Sequence, residues 1–136
     1  VTTDYRRLGV DLFNHTWTYL ERDGLTPDEV DEMIHAAYAS RYHWSRASDE
    51  AKHQARGEWQ LSRVFVHAGR PEPAVYHAER CLGWCGRGEV EDWDVAFAHE
   101  ALARAHALAG RARARRRDRR PGGPRALRQG LVDALG

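Results

Sequence analysis

The chain has 136 residues, of which 42% are hydrophobic and 30% are charged, and its formal net charge is +1. This length and composition suit one globular domain with a buried core and exclude a disordered chain. No apolar run reaches the roughly 20 residues that a membrane-spanning helix needs, and residues 1–5 show no secretory signal, so we expect a cytoplasmic protein.

The near-neutral total charge hides two oppositely charged parts. Residues 1–110 carry 12 basic and 18 acidic side chains, a net charge of −6. Residues 111–136 carry nine basic and two acidic side chains, a net charge of +7. The sequence therefore predicts an acidic body followed by a basic C-terminal segment.

The first two predicted helices have clear local signals. Apolar residues recur at helical spacing from Tyr5 to Arg22, and Gly24 then favours a chain reversal. Thr26 is a good N-cap, and Glu29 stands three residues later to complete a capping box. The second helix should run to about Trp44.

Three further helices follow. The third is predicted to begin near Ser48 and to end at Gly69, and the fourth to begin at Pro71 and end in the glycines that start with Gly83. The fifth should run from about Glu91 to Leu108. No segment alternates apolar and polar residues with β-branched enrichment, so we predict an all-α fold of about five or six helices in antiparallel hairpins.

The third and fourth helices carry a pattern of small and large residues at fixed spacing: Leu61, Ser62, Phe65, Gly69, Ala74, Ala78, Cys81 and Leu82. This pattern resembles the core of a tetratricopeptide repeat, in which small residues let two antiparallel helices approach closely. The run from Arg56 to Leu82 is also similar to small bacterial proteins of that type. The resemblance implies hairpins stacked side by side within residues 1–110, followed by an Arg-rich segment, 111–136, with a short helix.

The first half of this pattern occurs a second time. Leu102, Ala103, His106 and Gly110 repeat Leu61, Ser62, Phe65 and Gly69 at a distance of 41 residues. An arginine run follows Gly110 where a second helix of the repeat would be expected. The sequence therefore supports one complete hairpin of this kind and half of another.

The resemblance also implies a binding surface, because the first helix of each tetratricopeptide hairpin lines a groove for extended peptides. The residues expected in that groove form one stripe on the third helix, helped by three residues of the second: Arg56, Trp59, Arg63 and His67, with His35, Tyr38 and Arg41. Guanidinium groups around an indole suit an acidic, aromatic-bearing peptide. The alternative is that Trp59 belongs to the core and the arginines pair with Glu58, Glu72 or other acids.

Histidines and cysteines offer a second kind of site. A helical bundle that gathered His35, His43, His77 and His99 would be a candidate metal-binding or enzymatic centre. His77, Cys81 and Cys85 are spaced one helical turn apart, which is a weak zinc signal. The alternative is a structural Cys81 and a free Cys85, both reduced. No metalloprotease or di-metal motif is present.

The segment from Arg111 to Arg120 contains seven arginines and one aspartate. Such a segment attracts phosphate, which makes nucleic-acid binding an alternative function, although no aromatic residue is available for base stacking. The other interpretations are a solvated helix, a disordered end, or neutralisation of the acidic body. Leu127, Leu131 and Leu135 follow at one-turn spacing and predict a short docked helix.

The function best supported by the sequence is a non-enzymatic module that binds a protein or peptide, with no cofactor. No catalytic motif favours an enzyme. Exposed ends of helical repeats favour self-association, so a homodimer is also expected.

Overall fold

The computed structural model is built of six α-helices, which confirms the all-α prediction. It describes residues 2–122 and 124–135, and these contain no strand. The helices are α1 (Tyr5–Leu20), α2 (Pro27–Ala47), α3 (Ala51–His67), α4 (Pro71–Cys85), α5 (Asp92–Arg119) and α6 (Pro124–Leu135). Short connections join the first five helices, so consecutive helices pack side by side in antiparallel pairs.

The starts of α1 and α2 follow from their capping residues. Asp4 precedes α1, and its carboxylate accepts a hydrogen bond from the backbone N–H of Arg7 at 3.0 Å. At α2 the Thr26 hydroxyl accepts from the N–H of Glu29 at 3.2 Å, and the Glu29 carboxylate accepts from the N–H of Thr26 at 3.0 Å. The predicted capping box is therefore confirmed.

The turn between α3 and α4 is set by Gly69. Its φ of +73° is in the left-handed region that glycine adopts without strain. The N–H of Arg70 donates to the carbonyl of Phe65 at 2.9 Å, which closes α3 with a Schellman motif. The start of α3 differs from the prediction, because the helix begins after Glu50 and Ser48 does not cap it.

The fifth helix is much longer than predicted. It does not end at Leu108 but continues through Gly110 to Arg119. Gly110 lacks the positive φ that closes the turn at Gly69, so this second copy of the pattern forms no hairpin. Alanine and arginine are strong helix formers, which explains why the arginine run extends the helix. The boundary proposed at residue 110 thus lies inside α5.

Helix α3 lies at the centre of the bundle and packs against α1, α2, α4 and α5. The largest group of buried apolar residues comes from all of these helices: Tyr19, Met33, Ala37, Leu61, Val64, Phe65, Ala74 and Ala105. Buried alanines on α4 and α5 allow the helix axes to approach closely. Ser62 also belongs to this contact, since its hydroxyl donates to the carbonyl of Ala74 at 2.8 Å.

The C-terminal helix α6 is present as predicted, but its described apolar residues are not docked. Leu131 is 62% exposed and Leu135 is 81% exposed. The side chain of Leu127 lies outside the described part of the chain. Within the described residues, no helix combines the length and apolar character needed to cross a membrane.

We predict opposite effects for two glycine-to-alanine changes. A Cβ at Gly9 would lie 2.9 Å from the Trp44 ring, whereas a Cβ at Gly83 would meet nothing within 4 Å. Gly9→Ala should lower the free energy of unfolding by about 1–2 kcal/mol through overpacking. Gly83→Ala should raise it by up to about 1 kcal/mol because alanine favours the helix. Chemical denaturation measures both, and a stabilised Gly9→Ala variant would contradict the packing of α1 on α2.

Candidate functional site

Two neighbouring cavities lie against α1 and α3, one on the side of α2 and the other on the side of α4 and α5. The first, of about 200 Å³, is lined by α1, α2 and α3. The second, of about 230 Å³, is lined by α1, α3, α4 and α5. Phe13 and Arg56 line both and form the wall between them. We call the two together the paired cavities; their other described lining residues are Val10, Asn14, Trp44, His53 and Gly57 in the first, and Ala55, Trp59, Cys81, Trp93, Asp94 and Phe97 in the second.

A chain of aromatic rings runs from α1 to α5 beside the second cavity. Trp59 lies at its centre, with its ring 5.7 Å from that of Trp17 and 5.5 Å from that of Phe97. Trp93 continues the chain beyond Phe97 at 5.7 Å. Trp93 is 47% exposed and Phe97 is 45% exposed. Large aromatic surface is therefore open to solvent at the edge of the second cavity.

Arg56 is held in place by a bidentate ion pair. Its Nε and Nη2 atoms donate to the two carboxylate oxygens of Asp94 at 2.9 and 3.1 Å. The guanidinium also stacks over the Trp93 ring at 4.2 Å. Asp94 is buried and accepts from the N–H of Glu91 at the start of α5, so this pair fixes the beginning of α5 on α3.

Two other arginines flank the paired cavities and have no acidic partner among the described residues. Arg63 lies over the Trp59 ring at 5.9 Å, and Arg6 lies over the Trp44 ring at 5.1 Å. In the first cavity, burial lowers the pKa of His53, and the Glu50 carboxylate opposes this shift. The charged groups beside the cavities that are available to a ligand are therefore the guanidinium groups of Arg6 and Arg63.

The other stripe residue, His67, lies at the far end of α3. Its Nε2 atom donates to the backbone carbonyl of Arg22 at 2.7 Å, so it ties the end of α3 to the α1–α2 turn. Of the predicted stripe, Arg56 and Trp59 line the paired cavities and Arg63 stacks on Trp59. The three predicted contributors from α2 lie elsewhere: His35 is exposed, and Tyr38 and Arg41 contact the opposite side of α3.

That opposite side of α3 carries a buried polar cluster centred on Glu58. Glu58 is 6% exposed, and its carboxylate lies 3.1 Å from Nδ1 of His77, which is 5% exposed. A carboxylate only accepts, so Nδ1 donates to Glu58, and Nε2 shares a hydrogen bond of 2.7 Å with the hydroxyl of Tyr38. Phe65 stacks on the imidazole with nearly parallel rings. Helices α2, α3 and α4 are joined through these three polar side chains.

Arg41 completes this cluster, which we call the Glu58 cluster. Its Nε atom lies 3.7 Å from the Glu58 carboxylate, and its Nη1 atom donates to the amide oxygen of Gln54. Burial lowers the pKa of Arg41, while Glu58 opposes the shift. The Gln54 amide nitrogen in turn donates to the carbonyls of Trp44 and Ser48 at 3.3 and 2.8 Å. The cluster therefore also satisfies the carbonyls at the end of α2.

The Glu58 cluster has the connectivity of a hydroxyl–histidine–carboxylate relay, but its electrostatics do not activate the hydroxyl. Burial, the Glu58 carboxylate and Tyr76 all raise the pKa of Tyr38. The phenol therefore stays protonated at neutral pH and is a weak nucleophile. The cluster is better described as a buried structural network than as a catalytic triad.

The predicted histidine and cysteine sites do not assemble. Within the described ranges, no group of three or more His, Cys, Asp or Glu side chains is arranged to hold a metal ion. His77 is engaged by Glu58 and Tyr38, away from a ligand set with Cys81 and Cys85. His43 contacts Tyr5 and Tyr42, whereas His35 and His99 are exposed.

Sequence reasoning did not identify the α1 and α5 walls of the paired cavities, or Asp94 as the partner of Arg56. The predicted alternative partners of Arg56 included Glu58, but the ion pair is made with Asp94. One local signal was available, because Trp93 and Phe97 are one helical turn apart and place two aromatics on one face of α5.

Comparisons with known proteins add no assignment. No protein-family model matches the sequence, and no curated protein or solved structure matches it either.

We predict that Glu58→Gln destabilises the fold strongly. The change leaves the buried guanidinium of Arg41 without its counter-charge, which should lower the free energy of unfolding by about 3 kcal/mol. Glu79→Gln on the exposed face of α4 is the matched control and should change stability by less than about 0.5 kcal/mol. Urea denaturation followed by circular dichroism compares the two. If the two variants were equally stable, the charge of Glu58 would contribute nothing to the free energy of unfolding.

We also predict that Cys81 is chemically inert in the native protein. Burial raises the pKa of its thiol to about 12, and the pKa of the Cys85 thiol is raised as well. Because the thiolate is the reactive form, iodoacetamide at pH values near neutral should label Cys81 only on unfolding. Mass spectrometry of native and guanidinium-unfolded samples measures this. Equal labelling rates in the two samples would contradict the burial of Cys81.

Proposed function

We propose that this protein is a non-enzymatic peptide-binding module whose paired cavities receive an acidic segment that carries an aromatic side chain. The observation that carries this proposal is the position of the two cavities side by side across α3, with exposed aromatic surface at their edge. Aromatic residues that are half exposed beside a cavity are typical of binding surfaces.

The size and lining of the cavities favour side chains of a peptide over a larger ligand. Each cavity is smaller than the roughly 300–1,000 Å³ of a typical small-molecule site. Each has the dimensions of one side chain, and the wall of Phe13 and Arg56 separates them. The second cavity is lined mainly by Trp59, Trp93 and Phe97, so an aromatic side chain fits it best.

The charged groups around the cavities predict the sign of the partner's charge. Arg56 is neutralised by Asp94, but the guanidinium groups of Arg6 and Arg63 have no acidic partner among the residues that the structure describes. Carboxylates beside the aromatic anchor would pair with them. The buried indole N–H of Trp59 also lacks an acceptor in the described structure, and a peptide carbonyl is the kind of group that it needs.

The proposal retains the tetratricopeptide-like arrangement. Counted as tetratricopeptide-like hairpins, α1–α2 and α3–α4 followed by α5 would make α1, α3 and α5 the first helices, and residues of all three line the second cavity. In that arrangement an extended peptide crosses these helices.

We predict that peptides selected on this protein from a random displayed library are enriched in an aromatic residue flanked by acids. Phe97→Ala should weaken binding of a selected peptide by about tenfold, since it removes an aromatic wall of the second cavity. Arg63→Glu should weaken it by at least about tenfold through charge reversal. Fluorescence polarisation with the labelled peptide measures both.

Tyr76→Ala is the control variant for this experiment. Tyr76 is an exposed aromatic on α4 that lines neither cavity, so its removal should leave the affinity unchanged. Selected peptides without an aromatic and acidic preference, or equal losses for Tyr76→Ala and Phe97→Ala, would refute the proposed site.

A further inference from the structure

The C-terminal part of α5 carries a high density of positive charge. Seven arginines lie between positions 111 and 120, and none forms an ion pair with the described residues. Four pairs of them are four residues apart and face one another along the helix: Arg111–Arg115, Arg113–Arg117, Arg115–Arg119 and Arg116–Arg120. Like charges at this spacing destabilise a helix, and this stretch packs against little else. An acidic partner would remove that repulsion.

The chain itself presents a matching acidic surface at the α1–α2 turn. Residues 21–32 hold six carboxylates and one arginine, and that arginine, Arg22, is paired with Glu29. Four of the carboxylates are exposed and form no hydrogen bond or ion pair within the described structure: Glu21, Asp23, Asp28 and Asp31. The charge of this acidic patch, residues 21–32, is therefore opposite to that of the basic helix.

Both surfaces lie at the same end of the bundle. The hydrogen bond from His67 to the Arg22 carbonyl places the α1–α2 turn beside the end of α3. On the other side, residues Arg70–Pro73 at the start of α4 line a cavity of about 640 Å³ together with His106, Arg113 and Arg116 of α5. The α3–α4 turn therefore stands between the acidic patch and the basic extension of α5. Within one chain, the described residues make no ion pair between the two surfaces.

We propose that the basic extension of α5, residues 111–120, binds the acidic patch, residues 21–32, of a second copy of this chain. A two-fold arrangement makes the contact twice, since each copy supplies one basic helix and one acidic patch at the same end. The exposed Leu131, Val132 and Leu135 of α6 follow the basic helix and add apolar surface to the contact. This proposal is independent of the peptide-binding function.

A second copy fits the basic helix better than a nucleic acid does. The net charge of −6 over residues 1–110 repels a polyanion that approaches the body. The basic stretch also contains no aromatic residue on which a base can stack. The acidic patch, in contrast, is present on every copy at the required end.

A charge-swap experiment on the full chain tests the proposal. The basic variant carries Arg113→Glu and Arg117→Glu, and the acidic variant carries Asp23→Arg and Asp31→Arg. Multi-angle light scattering should give a dimer for the original chain, with an association that weakens about tenfold at high salt because exposed charges are screened. Each variant alone should be monomeric. An equimolar mixture of the two should again be dimeric, because one contact of the mixed dimer is the original one and the other pairs the introduced glutamates with the introduced arginines.

The control variant is Glu79→Arg with Glu89→Arg, which changes the net charge as much as the acidic variant but lies outside the patch. It should dimerise like the original chain. A monomeric original chain at low salt, or a mixture that stays monomeric, would overturn the proposal. Salt-sensitive binding of a single-stranded oligonucleotide by a monomer, lost in the basic variant, would overturn it in favour of nucleic acid.

Discussion

The burial of one carboxylate, Glu58, constrains most of this structure. Removing a carboxylate from water is costly unless its oxygens find charged or hydrogen-bonding partners. Glu58 meets this requirement through Arg41 on α2 and His77 on α4, and these two side chains in turn form hydrogen bonds with Gln54 and Tyr38. The ion pairs and hydrogen bonds that the buried Glu58 carboxylate requires therefore fix α2, α3 and α4 relative to one another, together with the apolar packing around them.

Helix α3 serves two purposes on two faces. The face that carries Glu58 is buried and fixes the bundle, whereas the face that carries Arg56 and Trp59 borders the paired cavities. Arg56 is itself anchored by Asp94, so the wall between the cavities is rigid before any ligand arrives. A preformed wall lowers the entropy lost on binding, as the proposed binding function requires.

The sequence predicted the features that depend on local chemistry. Thr26 and Gly69 identified a helix start and a helix end because capping is settled within a few residues. Gly110 misled the prediction of α5, since a glycine ends a helix only where the following residues favour a turn. The spacing of Arg56, Trp59 and Arg63 identified part of the candidate site. The other walls of the site lie on α1 and α5, and the Glu58 cluster joins three helices. Both depend on which helices pack together, and the spacing of residues within one helix does not predict that.

The unusual length of α5 also affects how the molecule moves in solution. At 1.5 Å per residue, a helix of 28 residues spans about 42 Å, and its last third extends past the α3–α4 turn. A rod of this kind increases hydrodynamic drag without adding much mass. Even a single copy should therefore elute early from a sizing column and tumble faster about the rod axis than across it.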